Sequence, residues 1–470
     1  MLTYVLSDKD SGPLYDQLYQ AIRNDIETGE LKVNEKLPSK RTLAQHLAVS
    51  VTTVEKSYEQ LLSEGFIYSK PSSGYYVSQI SKEPSPSPHS SSSWKSADET
   101  EYDMDFRGND SGLRLFPITV WTKLMRQVLS EANLEMLRTV PWNGLYALRK
   151  AICDYLKAYR GIETSPDLII IGAGTEYLYS RLLNLVGYDA VLGFEDPGYR
   201  KLPQIAEKKG LPLQFIPVDK EGMRVDCLYK TPTNIVHLSP ANHFPSGAIM
   251  PEERRRELIA WTAEQTHRYI VEDDYDSEFS YVRQRHPSLY SLDTNERIIY
   301  INTFSKSLVP SLRISYMVLP PSLYYLYQSS QDFYSCTVSS FEQLALAHFI
   351  EDGYFERHIN KLRTYYKKKR NMFADAILDS SLASIASVTP NSAGTHMLIP
   401  IKTKSTDQEI KQRAEQLHLR MQLLSDYCHV PSLQTMKTLV VNYAGMNEED
   451  VEQAVCYLEE LFESDLKSQD

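Results

Sequence analysis

IIYINTFSKSLVPSLRISY, residues 298–316, carries a lysine a few positions beyond one apolar run, and a second apolar run follows. Ile298–Ile301 is short, apolar and β-branched. It reads as a strand buried on both faces. Lys306 falls just past its end, and Ile314–Leu319 reads as the next strand. Upstream, Tyr269–Val271, Ile235–Leu238, Ala190–Phe194 and Leu168–Ile171 have the same character, with helical patterns between several of them. That alternation predicts an α/β fold with a mostly parallel sheet. From about Asn371 the pattern mixes helices and strands, which predicts a smaller C-terminal α+β subdomain.

Ligands of open α/β sheets bind beyond the carboxyl ends of the strands, and four polar elements fall there. In Thr303-Phe304-Ser305-Lys306, a partly desolvated lysine can lose its proton and form a Schiff base with an aldehyde. The Thr303 and Ser305 hydroxyls, with Arg313, can hold a phosphate. In Glu272-Asp273-Asp274-Tyr275, a buried carboxylate can pair with a protonated ring nitrogen and keep that ring an electron sink. The turn Gly172-Ala173-Gly174-Thr175-Glu176 offers backbone N–H groups and a helix N-terminus to an anion. In Asp196-Pro197-Gly198-Tyr199 an aromatic ring can stack on a flat ligand. Each element alone has a bland reading: a solvated lysine, a solvent-facing acidic run, an ordinary turn, a structural tyrosine in a chain with 32 of them. Their shared position at strand ends gives them weight.

Residues 81–100, SKEPSPSPHSSSSWKSADET, are dominated by serine and proline. Such a segment cannot bury enough surface to offset its ordering entropy, which predicts a flexible linker over 79–103. It separates a module at 12–78 from one at 104–466. In the first, Leu14, Leu18, Ile22 and Ile26 form one helical stripe that Gly29 ends. Ser39 is placed to cap a second helix with Leu43 and Leu47 inward, and Ser50 a third with Val54, Tyr58, Leu61 and Leu62 inward. Phe66–Tyr68 and Tyr75–Val77 flank the turn-rich KPSSG and predict a hairpin. Two short helices joined by a tight turn, the second opening Ser50-Val51-Thr52-Thr53, form a helix-turn-helix pattern whose second helix would enter the major groove. From residue 32 to 70 six basic side chains face four acidic ones, a weak excess, so a small helical interaction module fits the spacing about as well.

The net charge of -11 requires any nucleic-acid contact to rest on a local surface. No apolar run is long enough to span a membrane, and MLTYVLSDKDSGP lacks the pattern of a secretory leader. The five cysteines are widely spaced and never in a C-x-x-C pair. A cytoplasmic protein with free thiols and no metal site is expected.

Residues 12–77 resemble the GntR family of winged helix-turn-helix domains through PLYxQ, GxL, LPSxRxLA, VSxxTV, the Glu64-Gly65 pair and the wing glycine Gly74. The resemblance implies DNA contacts from Arg41, Ser50, Thr52, Thr53 and Gly74. Residues from about 104 to 462 resemble fold-type I aminotransferases through PWNGLYALRKAI, GAGTEYL, EDPGY, FPSG, EDDYDSEF, TFSKSLVPSLRISY and AGTH. The combined order resembles the MocR (GabR-like) regulators. That likeness implies pyridoxal 5'-phosphate as cofactor. Lys306 would be its Schiff-base lysine, Asp273 the partner of its pyridine nitrogen, Tyr275 a donor to its phenolic oxygen and Tyr199 its stacking ring. Gly174, Thr175, Thr303, Ser305 and Arg313 would surround its phosphate. It further implies a double-stranded DNA operator, a homodimer, often paired head-to-tail in this family, and an effector that is a small amino compound or vitamin B6 form, sensed through an aldimine at Lys306.

This sequence also departs from the family pattern. Val51 and Glu55 stand where basic residues are common, Ala241-Asn242-His243 replaces Ser-His-Gln, and Ser315 replaces glycine. Val440 and Lys201 stand where arginines would clamp a substrate carboxylate. Lysine replaces a bidentate arginine only as a point charge. The balance favours a regulator over a working enzyme; the alternative is an active aminotransferase carrying an accessory DNA-binding module.

Overall fold

A computed structural model describes residues 2–4, 6, 12–71, 73–79, 102–108, 113–130, 134–187, 189–281, 286–388, 393–430 and 437–467. The chain divides into two compact units, one ending at Glu99 and one beginning at Thr100. The expected linker lies almost wholly outside the described residues.

In the smaller unit, helices α1 (Leu14–Thr28), α2 (Lys40–Leu47) and α3 (Val51–Ser63) precede a hairpin of β1 (Ile67–Lys70) and β2 (Gly74–Val77). The capping follows the sequence. Gly29 takes the left-handed conformation after α1, Ser39 Oγ accepts from Thr42 N, and Ser50 Oγ accepts from Thr53 N. Leu18, Ile22, Leu43, Val54, Tyr58 and Leu61 are buried in one core. The fully buried Ser57 ties α3 to α1 by donating to the Tyr15 carbonyl at 2.6 Å. Upstream of residue 12, Leu2, Tyr4 and Leu6 also pack against this core, and Tyr4 donates to Asp25 at 2.6 Å.

The larger unit opens with β3 (Met104–Asp105) and is built on an eight-stranded sheet. Its strands are β4 (Ile169–Gly172), β5 (Leu192–Asp196), β6 (Leu213–Asp219), β7 (Gly222–Met223), β8 (Ile235–Leu238), β9 (Tyr269–Asp273), β10 (Ile298–Thr303) and β11 (Ser315–Val318). The order is β4-β11-β10-β9-β8-β5-β6-β7. Strands β10, β9, β8, β5 and β6 run parallel, whereas β11 is antiparallel to both its neighbours and β7 to β6. Side chains alternate between two buried faces. Ile169, Ile171, Tyr300, Tyr316 and Val318 enter one apolar cluster, and Ile170, Ile299, Ile301 and Met317 the other. Burial on both sides explains why these strands read as continuous apolar runs.

Beyond the sheet, helix Tyr354–Leu378 runs unbroken for 25 residues, so no boundary occurs at Asn371 as the sequence suggested. Its amphipathic pattern continues through that position, with Tyr366, Phe373 and Ile377 all buried. The C-terminal subdomain follows it. There β12 (Met397–Ile401) pairs antiparallel with β14 (Lys437–Val441), and β13 (Leu419–Arg420) pairs parallel with β3.

On helix Glu252–Ala263, Trp261 is fully buried among Leu258, Val236, Ile270 and neighbouring apolar side chains, with the Arg268 guanidinium 4.6 Å from its ring centre. Trp261→Ala should cost about 3–5 kcal/mol through lost burial and the remaining cavity. A fall in the urea midpoint of the large unit's unfolding would register this; an unchanged midpoint would contradict it.

Candidate functional site

Strands β4, β5, β9 and β10 all end on the same edge of the sheet, and each ends on one of the polar elements picked out by sequence. After β4, Gly174 (φ 96°) caps helix Thr175–Val186. A Cβ there would collide with the Arg313 guanidinium, so glycine lets that side chain lie against the turn. Arg313 Nη2 pairs with Glu176 Oε2 at 2.6 Å, and Lys201 reaches the other oxygen at 3.3 Å. One carboxylate thus holds both cations beside the helix N-terminus.

After β10, Thr303 caps the short helix Phe304–Ser307, accepting from Ser305 N at 3.2 Å and from Ser315 Oγ at 2.8 Å. Ser305 Oγ is buried and has no hydrogen-bond partner. Burial pushes the Lys306 ammonium below its ordinary value, and the Asp276 carboxylate partly restores it. At the end of β9, Asp273 Oδ1 is buried and unpartnered, while Oδ2 lies 3.4 Å from His237 Nε2. Tyr275 donates to the Asn242 carbonyl at 3.1 Å, and Asn242 Nδ2 donates to Asp276 at 2.6 Å. Gly394 (φ 83°) makes room for that pair, since a Cβ would strike the Asn242 amide. Tyr199 is 43% exposed, with its ring edge-on to Phe244 at 6.3 Å.

In the smaller unit Arg41 and Thr52 are exposed. Ser50 Oγ and Thr53 Oγ1 lie 2.8 Å apart and bond to each other at the cap. Lys40, at the start of α2, pairs with Glu55 of α3 at 2.7 Å.

Residues 14–77 match the family of bacterial regulatory proteins of the gntR type, and residues 104–458 match aminotransferase class I and II. The chain is 36% identical to the uncharacterized HTH-type transcriptional regulator YdeL of Bacillus subtilis, over 94% of this chain and 95% of that one. It is 29% identical to the probable rhizopine catabolism regulatory protein MocR of Rhizobium meliloti, over 97% and 95%. Among solved structures, an archaeal alanine:glyoxylate aminotransferase superposes with a TM-score of 0.70 at 22% identity, covering 78% of this chain and 92% of that one, which shows the fold. This protein belongs to the MocR-like subfamily of the GntR regulators.

Against the aminotransferase pattern, the most telling position in this MocR-like chain is Val440. It is 5% exposed and packs in an apolar cluster with Leu424, Tyr427, Phe244 and Leu398. Phe244 also meets His396 and Tyr427 edge-on, each at 4.9 Å. The other expected arginine position, Lys201, is exposed and tied to Glu176.

Sequence reasoning gave no role to His237, Asp276, Glu195 or His396, which the fold gathers on this edge. Glu195 accepts from Ser239 N at 3.0 Å, and burial pushes its carboxyl up to about 8. Asp276 and His396 stand inside the EDDYDSEF and AGTH motifs, so their neighbourhood was visible though their contacts were not. Among the described residues, no group of three or more His, Cys, Asp or Glu could hold a metal ion, and no helix is long and apolar enough to cross a membrane.

Buried His396 Nε2 donates to the Pro245 carbonyl at 2.9 Å, which selects the Nε2–H tautomer. Burial lowers its imidazole to about 4. The unfolded chain therefore binds a proton here, from about pH 6.5 downward, that the folded chain refuses until about pH 4. Its contribution is intact above pH 6.5 and is lost on acidification. Relative to His396→Gln, the parent protein should lose about 2 kcal/mol between pH 7 and pH 5. Urea titrations of both proteins at the two pH values measure this difference; parallel curves would contradict it.

Proposed function

We propose that this regulator holds pyridoxal 5'-phosphate at Lys306 and reads a small amino compound, or a form of vitamin B6, through that site. One observation carries the reading. Two buried polar atoms without partners, Asp273 Oδ1 and Ser305 Oγ, sit on the sheet edge that bears Lys306. Their chemistry fits the two ends of this cofactor: a carboxylate for a protonated ring nitrogen, and a hydroxyl for a phosphate. When bound, the cofactor supplies an electrophilic carbon and an electron-withdrawing ring.

The chain's own residues do the rest. The low-dielectric setting keeps more of Lys306 uncharged and nucleophilic. Tyr275 is the donor for the phenolic oxygen and Tyr199 the stacking ring. Gly174, Thr175, Thr303, Ser305 and Arg313 form the phosphate cradle. Glu176 already neutralises Arg313 there, so an arriving phosphate shares or displaces that pair.

As a GntR regulator the chain binds DNA. Arg41, Ser50, Thr52, Thr53 and Gly74 are our candidates for the contact with a double-stranded operator. The large unit exposes Ile118, Leu129, Leu137 and Phe333, each more than half accessible, which supports a homodimer, paired head-to-tail as is common in this family. An effector changes DNA affinity only if it binds one arrangement of the protein better than another. The alternative, an aminotransferase with an accessory DNA-binding module, draws support from the retention of Lys306, Asp273 and Tyr275. The apolar packing of Val440 weighs against it, because an α-carboxylate would find no arginine there.

The purified protein should absorb in the imine band once supplied with pyridoxal phosphate. Borohydride should fix the added mass on Lys306, and Lys306→Ala should stay colourless. A colourless parent protein would sink the reading. Release of keto acid with a panel of amino acids would favour the enzyme instead.

A second outcome concerns DNA. Glu55→Gln frees the Lys40 ammonium, so non-specific affinity should rise and the slope of log K against log salt should steepen by about one. Fluorescence anisotropy across a salt series reads it, and an unchanged slope would place Lys40 away from the phosphates.

A further inference from the structure

Beside the proposed cofactor site but lined by other residues, a cavity of about 260 Å³ opens between helix Tyr146–Arg160, the turn after β9 and the first turns of helix Tyr354–Leu378. None of its lining residues belongs to the proposed cofactor set. Its size lies just below the roughly 300–1,000 Å³ of sites for drug-sized ligands, which suits a small metabolite.

The walls carry two charges of each sign. Glu278 and Glu356 supply carboxylates, Arg160 and Arg363 supply guanidiniums, and Tyr155 and Tyr159 supply aromatic faces. Glu278 is the unusual member. It is only 7% exposed, and its Oε2 has no hydrogen-bond partner. Its Oε1 has only long contacts, 3.4 Å from Tyr155 OH and 3.4 Å from Asn302 Nδ2. A buried carboxylate left this poorly satisfied is costly.

The guanidiniums do not close on that carboxylate. Arg160 is turned to Asp274, at 2.8 Å from both Nε and Nη2. Arg363 Nε donates to the Glu278 carbonyl at 3.0 Å, and its Nη1 to Asn360 Oδ1 at 3.1 Å. A purely anionic ligand would meet Glu278, and a purely cationic one would meet both arginines. A molecule with an ammonium and a carboxylate matches both: the ammonium donates to Glu278 Oε2, and the carboxylate faces the guanidinium forks.

We infer that this cavity is a second small-molecule site, for a free amino acid in its zwitterionic form. The site touches the C-terminal subdomain indirectly, because helix Tyr354–Leu378 also packs against that subdomain through its later turns. An occupant wedged at its start bears on the subdomain's position.

The test is calorimetric titration of the full-length protein with the proteinogenic L-amino acids, one at a time. It is run on cofactor-free protein and on cofactor-loaded, borohydride-reduced protein, so the outcome is independent of events at Lys306. At least one amino acid should bind both forms with one site per chain and leave the visible spectrum unchanged. Its amine-only and acid-only analogues should bind at least tenfold more weakly. Glu278→Gln should weaken binding tenfold or more. Tyr159→Trp, which crowds the mouth without touching a buried charge, should weaken it too if Glu278→Gln proves poorly folded. No binding by any amino acid at millimolar concentration, or binding that ignores both substitutions, would overturn the inference.

Discussion

The large unit is organised by the burial of charge at one edge of a parallel sheet. Asp273 ends a strand with both faces covered, and its Oδ1 is buried without a hydrogen-bond partner. Such a group is tolerated only where something with complementary chemistry is expected to complete it. The same edge keeps Lys306 below its ordinary basicity and holds His396 and His243 neutral through burial, His243 being lowered to about 3. The two histidines thus add no fixed positive charge to the site. Its remaining positive charges, Arg313 and Lys201, are held beside the start of helix Thr175–Val186 by Glu176.

That confinement divides the edge into two chemically distinct regions. Near the start of helix Thr175–Val186 lie the paired charges of Arg313, Lys201 and Glu176. Near Phe244, Tyr427 and Val440 lie apolar and aromatic surfaces. An enzyme acting on common amino acids needs a cation in the second region; a sensor does not. The GntR unit is economical in the same way. The Lys40–Glu55 pair neutralises one charge at the start of α2, so fewer unpaired charges remain there for non-specific attraction to phosphates.

Much of this was legible in the sequence because it is local. The buried strands announced themselves as short apolar runs, and Ile298–Ile301 led directly to Lys306. Ser39 and Ser50 announced the helices they cap. Strand β6 was harder to read: Leu213–Asp219 is mostly half-buried, and Pro217 interrupts its pattern. The approach of Asn242 to Asp276, the hold of Glu176 on Arg313 and the lodging of His237 beside Asp273 are contacts between segments distant in sequence. Periodicity carries no signal for them. The boundary expected at Asn371 failed for a related reason. A change in composition along a helix is not a change in its backbone hydrogen bonding.

The short pairing of Met104–Asp105 with Leu419–Arg420 has a mechanical meaning. The first described residues downstream of the Ser/Pro-rich stretch are stitched to the C-terminal subdomain, with Phe106 N and Asp103 N bonded to the Arg420 and His418 carbonyls on the same ribbon. Residues 103–106 are therefore bound to the position of that subdomain, and any displacement of it would carry them along.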